Sequence, residues 1–256
     1  MKKIFKFILN TIPRPILIRL SIVVRPILAF LLKGNRFTDP IDGKSFKMFL
    51  PYGYGNQRNN VLSPSTLSLE RHRLLWLYLQ NETNFFTATD KKKVLHFAPE
   101  QEFYKRFKKQ TNIEYTTTDL LSPLADVKAD ICNLPFEDNS YDIIFCNHVL
   151  EHIPDDTKAM QELYRVLKPG GMGIFQIPQD ISRTNTFSDD TIIDPKERAK
   201  IFGQYDHVRI YGLDYFDKLR SIGFQVEEVK YTETISSDLV QKYCLAKGEI
   251  IPVCYK

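Results

Sequence analysis

Hydrophobic and polar positions follow two periods along this chain. Short apolar runs at Lys93–Phe97, Ile113–Thr117, Tyr141–Cys146 and Gly173–Ile177 are rich in β-branched or aromatic residues, and helical patterns separate them. Runs of this length and composition predict parallel strands buried on both faces. Further on, the pattern predicts a helix over Leu213–Gly223, a strand over Phe224–Tyr231 and a last hairpin strand within Tyr243–Tyr255. The fold class is therefore α/β, a mostly parallel sheet flanked by helices. In open sheets of this kind, ligands bind outside the carboxyl ends of the strands, where the strand order reverses. Asp119, Asp130 and Asn147-His148 each follow such a strand or the turn after it. Separate stretches of sequence thus converge on one rim.

Residues 1–36 read differently. At about 100° per residue, Arg14, Arg19, Arg25 and Lys33 fall within an arc of roughly 140°, with Ile16, Leu17, Ile22, Val23, Ile27, Leu28 and Leu31 largely elsewhere. That is a basic amphipathic helical extension. A membrane span needs about 20 mostly apolar residues, whereas here a cation recurs every few positions and Pro13, Pro15 and Pro26 interrupt the run. A signal peptide is not expected, because no small-residue cleavage site follows. Two roles remain open: lying on an anionic membrane surface, or packing as helices on the α/β domain that follows. Residues 37–80 are loop-rich until Glu70–Gln80, a helix with Leu74, Leu75, Leu77 and Tyr78 on its apolar side. Arg71, His72 and Arg73 at its start are expected to be surface cations, within range of a substrate anion.

Composition narrows the picture. The chain has 256 residues, enough for one α/β domain with an appendage, and 43% hydrophobic with 26% charged residues is the balance of a soluble globular protein. A net charge of +4 does not by itself imply nucleic acid, and no recognisable RNA module is present. The distribution says more: Lys2, Lys3, Lys6, Arg14, Arg19, Arg25, Lys33 and Arg36 all precede the first acid, Asp39. Cys132, Cys146, Cys244 and Cys254 show no CxxC spacing and read as free thiols of a cytoplasmic protein.

From Tyr115 to Pro178, the chain carries Asp119, Ala129-Asp130-Ile131-Cys132-Asn133-Leu134-Pro135-Phe136, Tyr141-Asp142-Ile143-Ile144-Phe145-Cys146-Asn147-His148-Val149-Leu150-Glu151-His152, and Arg165-Val166-Leu167-Lys168-Pro169-Gly170-Gly171. Their order and spacing resemble the class I S-adenosylmethionine (SAM) dependent methyltransferases, particularly the type 11 group, over most of the chain after about Lys93. The resemblance implies a Rossmann-like sheet of seven strands, a domain over 81–256, and SAM as cofactor. It implies cofactor contacts at His96, Phe97, Ala98, Pro99 and Glu100, at Asp119 and Leu120 on the ribose, at Asp130, Ile131 and Cys132 around the adenine, and at Asn147 and His148. His96 stands where the family places an acid, and the turn that follows has no glycine. A GxGxxG turn serves a pyrophosphate, which SAM lacks. Its absence therefore weighs against a dinucleotide enzyme more than against SAM. Leu167 to Gly171 reads as a helix stop and turn.

Before that domain, Asp39-Pro40-Ile41-Asp42 and Ser63-Pro64-Ser65-Thr66 resemble a zinc knuckle of the CPxC kind with every cysteine replaced. Tetrahedral zinc wants thiolate or imidazole, so the knuckle's shape is expected without its metal, and no metal is expected elsewhere.

After the fifth strand, residues 180–212 form an insertion over the substrate side. Insertions at such places carry specificity. The dense polar run Tyr205–Tyr211 makes His207 a candidate base, Asp206 its orienter, with His148 beside them as catalytic, and Arg209, Tyr211 and His152 candidates for holding the acceptor. Glu151 is expected to cap or support. The reading is a SAM-dependent methyltransferase, cytoplasmic or peripheral at the membrane, acting on a small-molecule or lipid-linked acceptor. The alternatives are a SAM-binding protein without transferase activity, or an RNA-modifying methyltransferase.

Overall fold

A computed structural model describes residues 24–53, 57–122 and 125–256. The chain divides into two compact units, one holding the residues up to Leu77 together with Ile235–Lys247, the other Tyr78–Thr234 with Gly248–Lys256. Most of the basic extension lies outside the described residues. Its described end is helical over 24–31, and the chain then enters β1 (Lys33–Thr38).

In the first unit β1 pairs antiparallel with β2 (Ser45–Phe46), and β3 (Leu50–Tyr52) with β4 (Arg58–Leu62). Phe37, Phe46 and Phe49 form a small aromatic core. The two turns that resemble a zinc knuckle meet through hydrogen bonds. Asp39 is fully buried, and its carboxylate accepts from the hydroxyls of Thr66 at 2.5 Å and Ser68 at 3.1 Å and from the amide of Ile41 at 2.9 Å. Asp42 instead caps the amide of Lys44 at 3.1 Å, and Ser63 faces Ser65 at 3.3 Å. A buried carboxylate with three donors is satisfied without an ion.

Arg73 departs from the expectation of a surface cation. It is fully buried, donating to the carbonyls of Val61 (2.9 Å), Ser68 (2.7 Å), Tyr243 (2.7 Å) and Cys244 (2.7 Å), with Phe49 under its guanidinium at 4.8 Å. The helix Ser237–Lys242 ends at Tyr243. Tyr243 and Cys244 follow that helix directly, where carbonyls lack intrahelical donors, and the five-donor fork of an arginine supplies them.

The second unit holds one sheet of seven strands: β5 (Lys92–Phe97), β6 (Ile113–Asp119), β7 (Val127–Lys128), β8 (Tyr141–Phe145), β9 (Leu167–Ile174), β12 (Gln225–Val229) and β13 (Ile251–Tyr255), in the order β12-β13-β9-β8-β5-β6-β7. The pair β10 (Phe187–Ser188) and β11 (Arg209–Ile210) closes the insertion. β5, β6, β7, β8 and β9 run parallel, while β13 is antiparallel to both β9 and β12. The chain moves outward from β5 to β7, then returns to lay β8 on the other side of β5. That reversal is the switch point where ligands bind.

Both faces of this sheet are covered, as the continuous apolar runs require: Val94, Leu95, Ile144 and Phe145 are almost wholly buried. The helix Asp156–Val166 begins at Asp155, whose side chain accepts from the Lys158 amide at 2.9 Å, and buries Ala159, Met160, Leu163 and Val166 along one stripe. The helix Tyr215–Ile222 stops at Gly223, which has φ of 121°, a conformation favouring glycine.

Two boundaries differ from the sequence reading. Leu167–Gly171 is the first half of β9 rather than a plain turn, with Gly170 at φ 74° and a register shift against β8 absorbing the irregularity. The last strand starts only at Ile251, because Ser236 caps the Leu239 amide at 3.4 Å and starts the helix Ser237–Lys242.

Candidate functional site

Two loops face each other across the switch point. The turn after β5 is Ala98-Pro99-Glu100, and the one after β8 is Cys146-Asn147-His148. Ala98 has φ of 44° and His148 φ of 54°, so each loop carries a non-glycine residue in the left-handed region, which costs of order 1 kcal/mol. Surrounding bonds hold both: the Ala98 amide donates to Thr118 O at 2.9 Å, and the His148 amide to Gln176 O at 2.7 Å. The loops are joined by Asn147, whose amide group donates to Glu100 at 3.3 Å and accepts from the Gln176 amide at 3.2 Å.

His96 does not itself replace the missing acid. It is fully buried, with Nδ1 on the Tyr115 hydroxyl at 2.7 Å and Nε2 on Glu100 at 2.5 Å. The half-buried Glu100 thereby returns a carboxylate to the rim, propped by His96 from below. Burial, then Glu100, raises the Tyr115 phenol far above its ordinary range, so Tyr115 stays a neutral donor or acceptor. Phe97 and Pro99 are buried beneath the turn, while Ala98 is exposed and small enough for close approach.

Asp119 ends β6. Its Oδ1 accepts the amides of Leu121 at 2.7 Å and Ser122 at 2.6 Å. One oxygen fixes the loop, which leaves the other to accept from a ligand. Leu120 beside it is exposed. Asp130 is exposed and bridges to Asn133, its Oδ1 accepting from the Cys132 amide at 2.9 Å, while Ile131 is buried in the core. Burial, with Asp130 and Asp155 nearby, raises the Cys132 thiol, so it is neutral.

The insertion returns to this region through Val208, whose amide donates to the Glu151 carbonyl at 2.9 Å. His152 and His207 meet edge to face with ring centroids 4.8 Å apart. His207 places Nδ1 on Phe202 O at 3.2 Å, His152 places Nδ1 on Asp206 O at 3.2 Å, and the Asp206 carboxylate lies 3.6 Å from that same nitrogen. Because a carbonyl only accepts, each ring carries a proton on Nδ1, so Nε2 is the nitrogen that holds a lone pair in the neutral form. Burial pushes the His207 imidazole below its ordinary value. His148 Nδ1 stands 3.3 Å from Glu151.

Arg209 and Tyr211 are buried and turned inward. The Arg209 guanidinium pairs with Asp156 and donates to Pro154 O at 2.7 Å, while the Tyr211 hydroxyl donates to Asp156 at 2.9 Å. Burial would raise the Asp156 carboxyl, yet Arg209 and Lys218 hold it below the carboxylate range. The sequence reading missed Gln176 and Tyr115, which shape the rim. Tyr115 lies on β6 and Gln176 is buried just past the end of β9, both within runs that read only as core.

Residues 82–175 match a protein family described as a methyltransferase domain. Over 46 residues the chain is 50% identical to demethylmenaquinone methyltransferase of Staphylococcus epidermidis, covering 18% of this chain and 19% of that protein. Over 64 residues it is 41% identical to a sterol 4-C-methyltransferase of Caenorhabditis elegans, covering 25% of this chain and 18% of that protein. The chain thus aligns with about a fifth of the length of these relatives. A solved SAM-dependent methyltransferase from Archaeoglobus fulgidus superposes with a TM-score of 0.47 at 14% identity, over 74% of this chain and 95% of that one.

Proposed function

We propose, from the premise that residues 82–175 are a class I methyltransferase domain, that this protein transfers a methyl group from SAM to a small-molecule or lipid-linked acceptor. The observation that carries the reading is the Glu100–Asn147 bridge across the switch point, with Asp119 and Asp130 in the adjoining loops. Carboxylates at these places suit the cationic amino group, the ribose hydroxyls and the exocyclic amine of SAM. Ala98 leaves room for close approach, and the exposed Leu120 offers aliphatic cover, whereas Ile131, expected beside the adenine, is packed into the core. Bound there, SAM supplies an electrophilic methyl group.

On the acceptor side, His207, Asp206, His148 and His152 line the approach, and Arg209 and Tyr211 brace the insertion that carries them. A neutral His207 has an Nε2 lone pair with which to accept a proton from a hydroxyl or amine. Alignment and exclusion of water provide most of the acceleration in such a transfer. Two observations favour an apolar acceptor near a membrane. The relatives are named for quinone and sterol substrates, and the described part of the basic extension exposes Ile27, Phe30 and Leu31. No helix among the described residues is long and apolar enough to cross a membrane; the basic, apolar extension is what favours a place at the membrane surface.

Calorimetry with SAM, then a methylation screen of metabolite and lipid extracts, tests this. Micromolar SAM binding and a labelled product support it. SAM binding with no product in any extract favours the binding protein without transferase activity, and binding of NAD in place of SAM sinks both.

A further inference from the structure

The geometry points to a divalent transition-metal site formed by Glu151, His152 and His207, two imidazoles and one carboxylate on the acceptor side of the rim. Among the described residues, one ligand atom from each lies within 4.8 Å of those of the other two. The arrangement is short of donors. Both imidazoles already commit Nδ1–H to main-chain carbonyls, so the ring atoms left are the two acceptor Nε2. Glu151 is 1% exposed, and its Oε2 has no hydrogen-bond partner. A buried carboxylate oxygen without a donor, in a group with two imidazoles, is costly unless a cation joins them.

Three further features are those of a metal site. Histidines that bind metals usually donate the opposite ring nitrogen to a carbonyl or carboxylate, which fixes the tautomer. Both rings here do so. The carboxylate is oriented too, because His148 Nδ1 stands 3.3 Å from Oε1 and leaves Oε2 for the ion. An ion at the centre of a triangle with 4.8 Å sides would lie about 2.8 Å from each ligand atom, so an inward movement of under about 1 Å per side chain gives bonds of about 2.0–2.2 Å. The Glu151 carbonyl is tied to the Val208 amide, so the two contributing segments are already held together.

Two imidazoles and a carboxylate leave coordination positions open and suit zinc, iron(II), manganese or cobalt rather than magnesium or calcium. On the methyltransferase reading, on which this role rests, an acceptor hydroxyl takes an open position. With His207 Nε2 coordinating, the ion would take over the activation assigned above to that ring: it would lower the hydroxyl's pKa, the O–H bond would break with its electron pair staying on oxygen and the proton passing to water, and the oxygen would then take the methyl as the S–CH3 bond of SAM breaks and leaves a thioether. The acceptor class is then an oxygen nucleophile such as a phenol or enol.

The full-length protein, stripped with chelator and titrated with Zn²⁺ by calorimetry and with Co²⁺ by visible absorption, should bind one ion per chain. Glu151→Gln, which keeps the side chain's shape, and His152→Ala, at a half-exposed position, should each weaken binding at least about 100-fold, the upper end of what losing a supporting partner costs. SAM calorimetry on the same samples reports that the variants remain folded. The absence of saturable binding by the wild type, or unchanged affinity in both variants, overturns the site. Metal binding without SAM binding leaves the site standing and removes the methyltransferase reading, whereas SAM binding without metal binding removes the site alone.

Discussion

Glu100 and Asn147 meet at 3.3 Å across the gap between β5 and β8, joining two loops that the chain builds 47 positions apart. On the proposed function, that carboxylate receives the amino group of SAM. Glu100→Gln keeps the shape and the contact to His96 but removes the charge, so SAM affinity should fall by about 1.5 kcal/mol, roughly tenfold. Asp119→Asn should cost a similar amount, because its amide oxygen can still cap Leu121 and Ser122. Calorimetry in which either variant matches the wild type removes that residue from the cofactor site.

Arg73 answers four carbonyls from a fully buried position. Arg73→Ala leaves those acceptors unmet and should destabilise the first unit by about 3–5 kcal/mol. Arg73→Lys should recover little, since an ammonium cannot reproduce the planar fork. Urea unfolding with a midpoint near that of the wild type in both would show the network to be dispensable.

In the knuckle-like turns, Asp39 and Asp42 separate cleanly. Asp39→Ala removes an acceptor from three buried donors and should lower stability by about 2–3 kcal/mol. Asp42→Ala removes one amide cap and an ion pair to Lys44 at 3.5 Å, and should cost less than about 1 kcal/mol. Equal losses in thermal melts would refute the distinction.

Acid should act through Asp156. Its folded pKa lies below the unfolded value of about 3.9, so the paired carboxylate contributes stability that is present above that pH. As pH falls from about 3.9 through the lower folded value, the proton binds more readily to the unfolded chain, and the contribution disappears. Unfolding free energy measured from pH 5 downward should therefore drop more steeply in the wild type than in Asp156→Asn. Parallel curves would assign the acid sensitivity to other groups.

For residues 1–36, the expectation is binding to anionic vesicles that salt reverses, because exposed cations are screened beyond about 8 Å at physiological ionic strength. Sedimentation with phosphatidylserine vesicles at low salt, and release at high salt, should depend on Ile27, Phe30 and Leu31 as well as on the cations. A protein that stays in the supernatant at low salt would favour the packed-helix role.

The sequence by itself determined the sheet and its rim. Strands β5, β6 and β8 are short apolar runs, and the acids after them are local features that survive in any packing consistent with burial on both faces. Asp119, Asp130 and Asn147 were legible for that reason. What only the tertiary structure decided are the partnerships between distant segments. Arg73 looked like a surface cation because a helix start is usually solvated, and its burial depends on a helix end more than 160 positions later. His96 looked like a substituted acid, but Glu100 brings the carboxylate and His96 bonds to it, a relation set by how the turn after β5 folds back. Arg209 and Tyr211 looked available for an acceptor until Asp156 claimed them. Glu151, His152 and His207 come together only when the insertion folds back onto the turn after β8. Periodicity reports which face of an element is buried, and it carries no information about which buried polar group will find which partner.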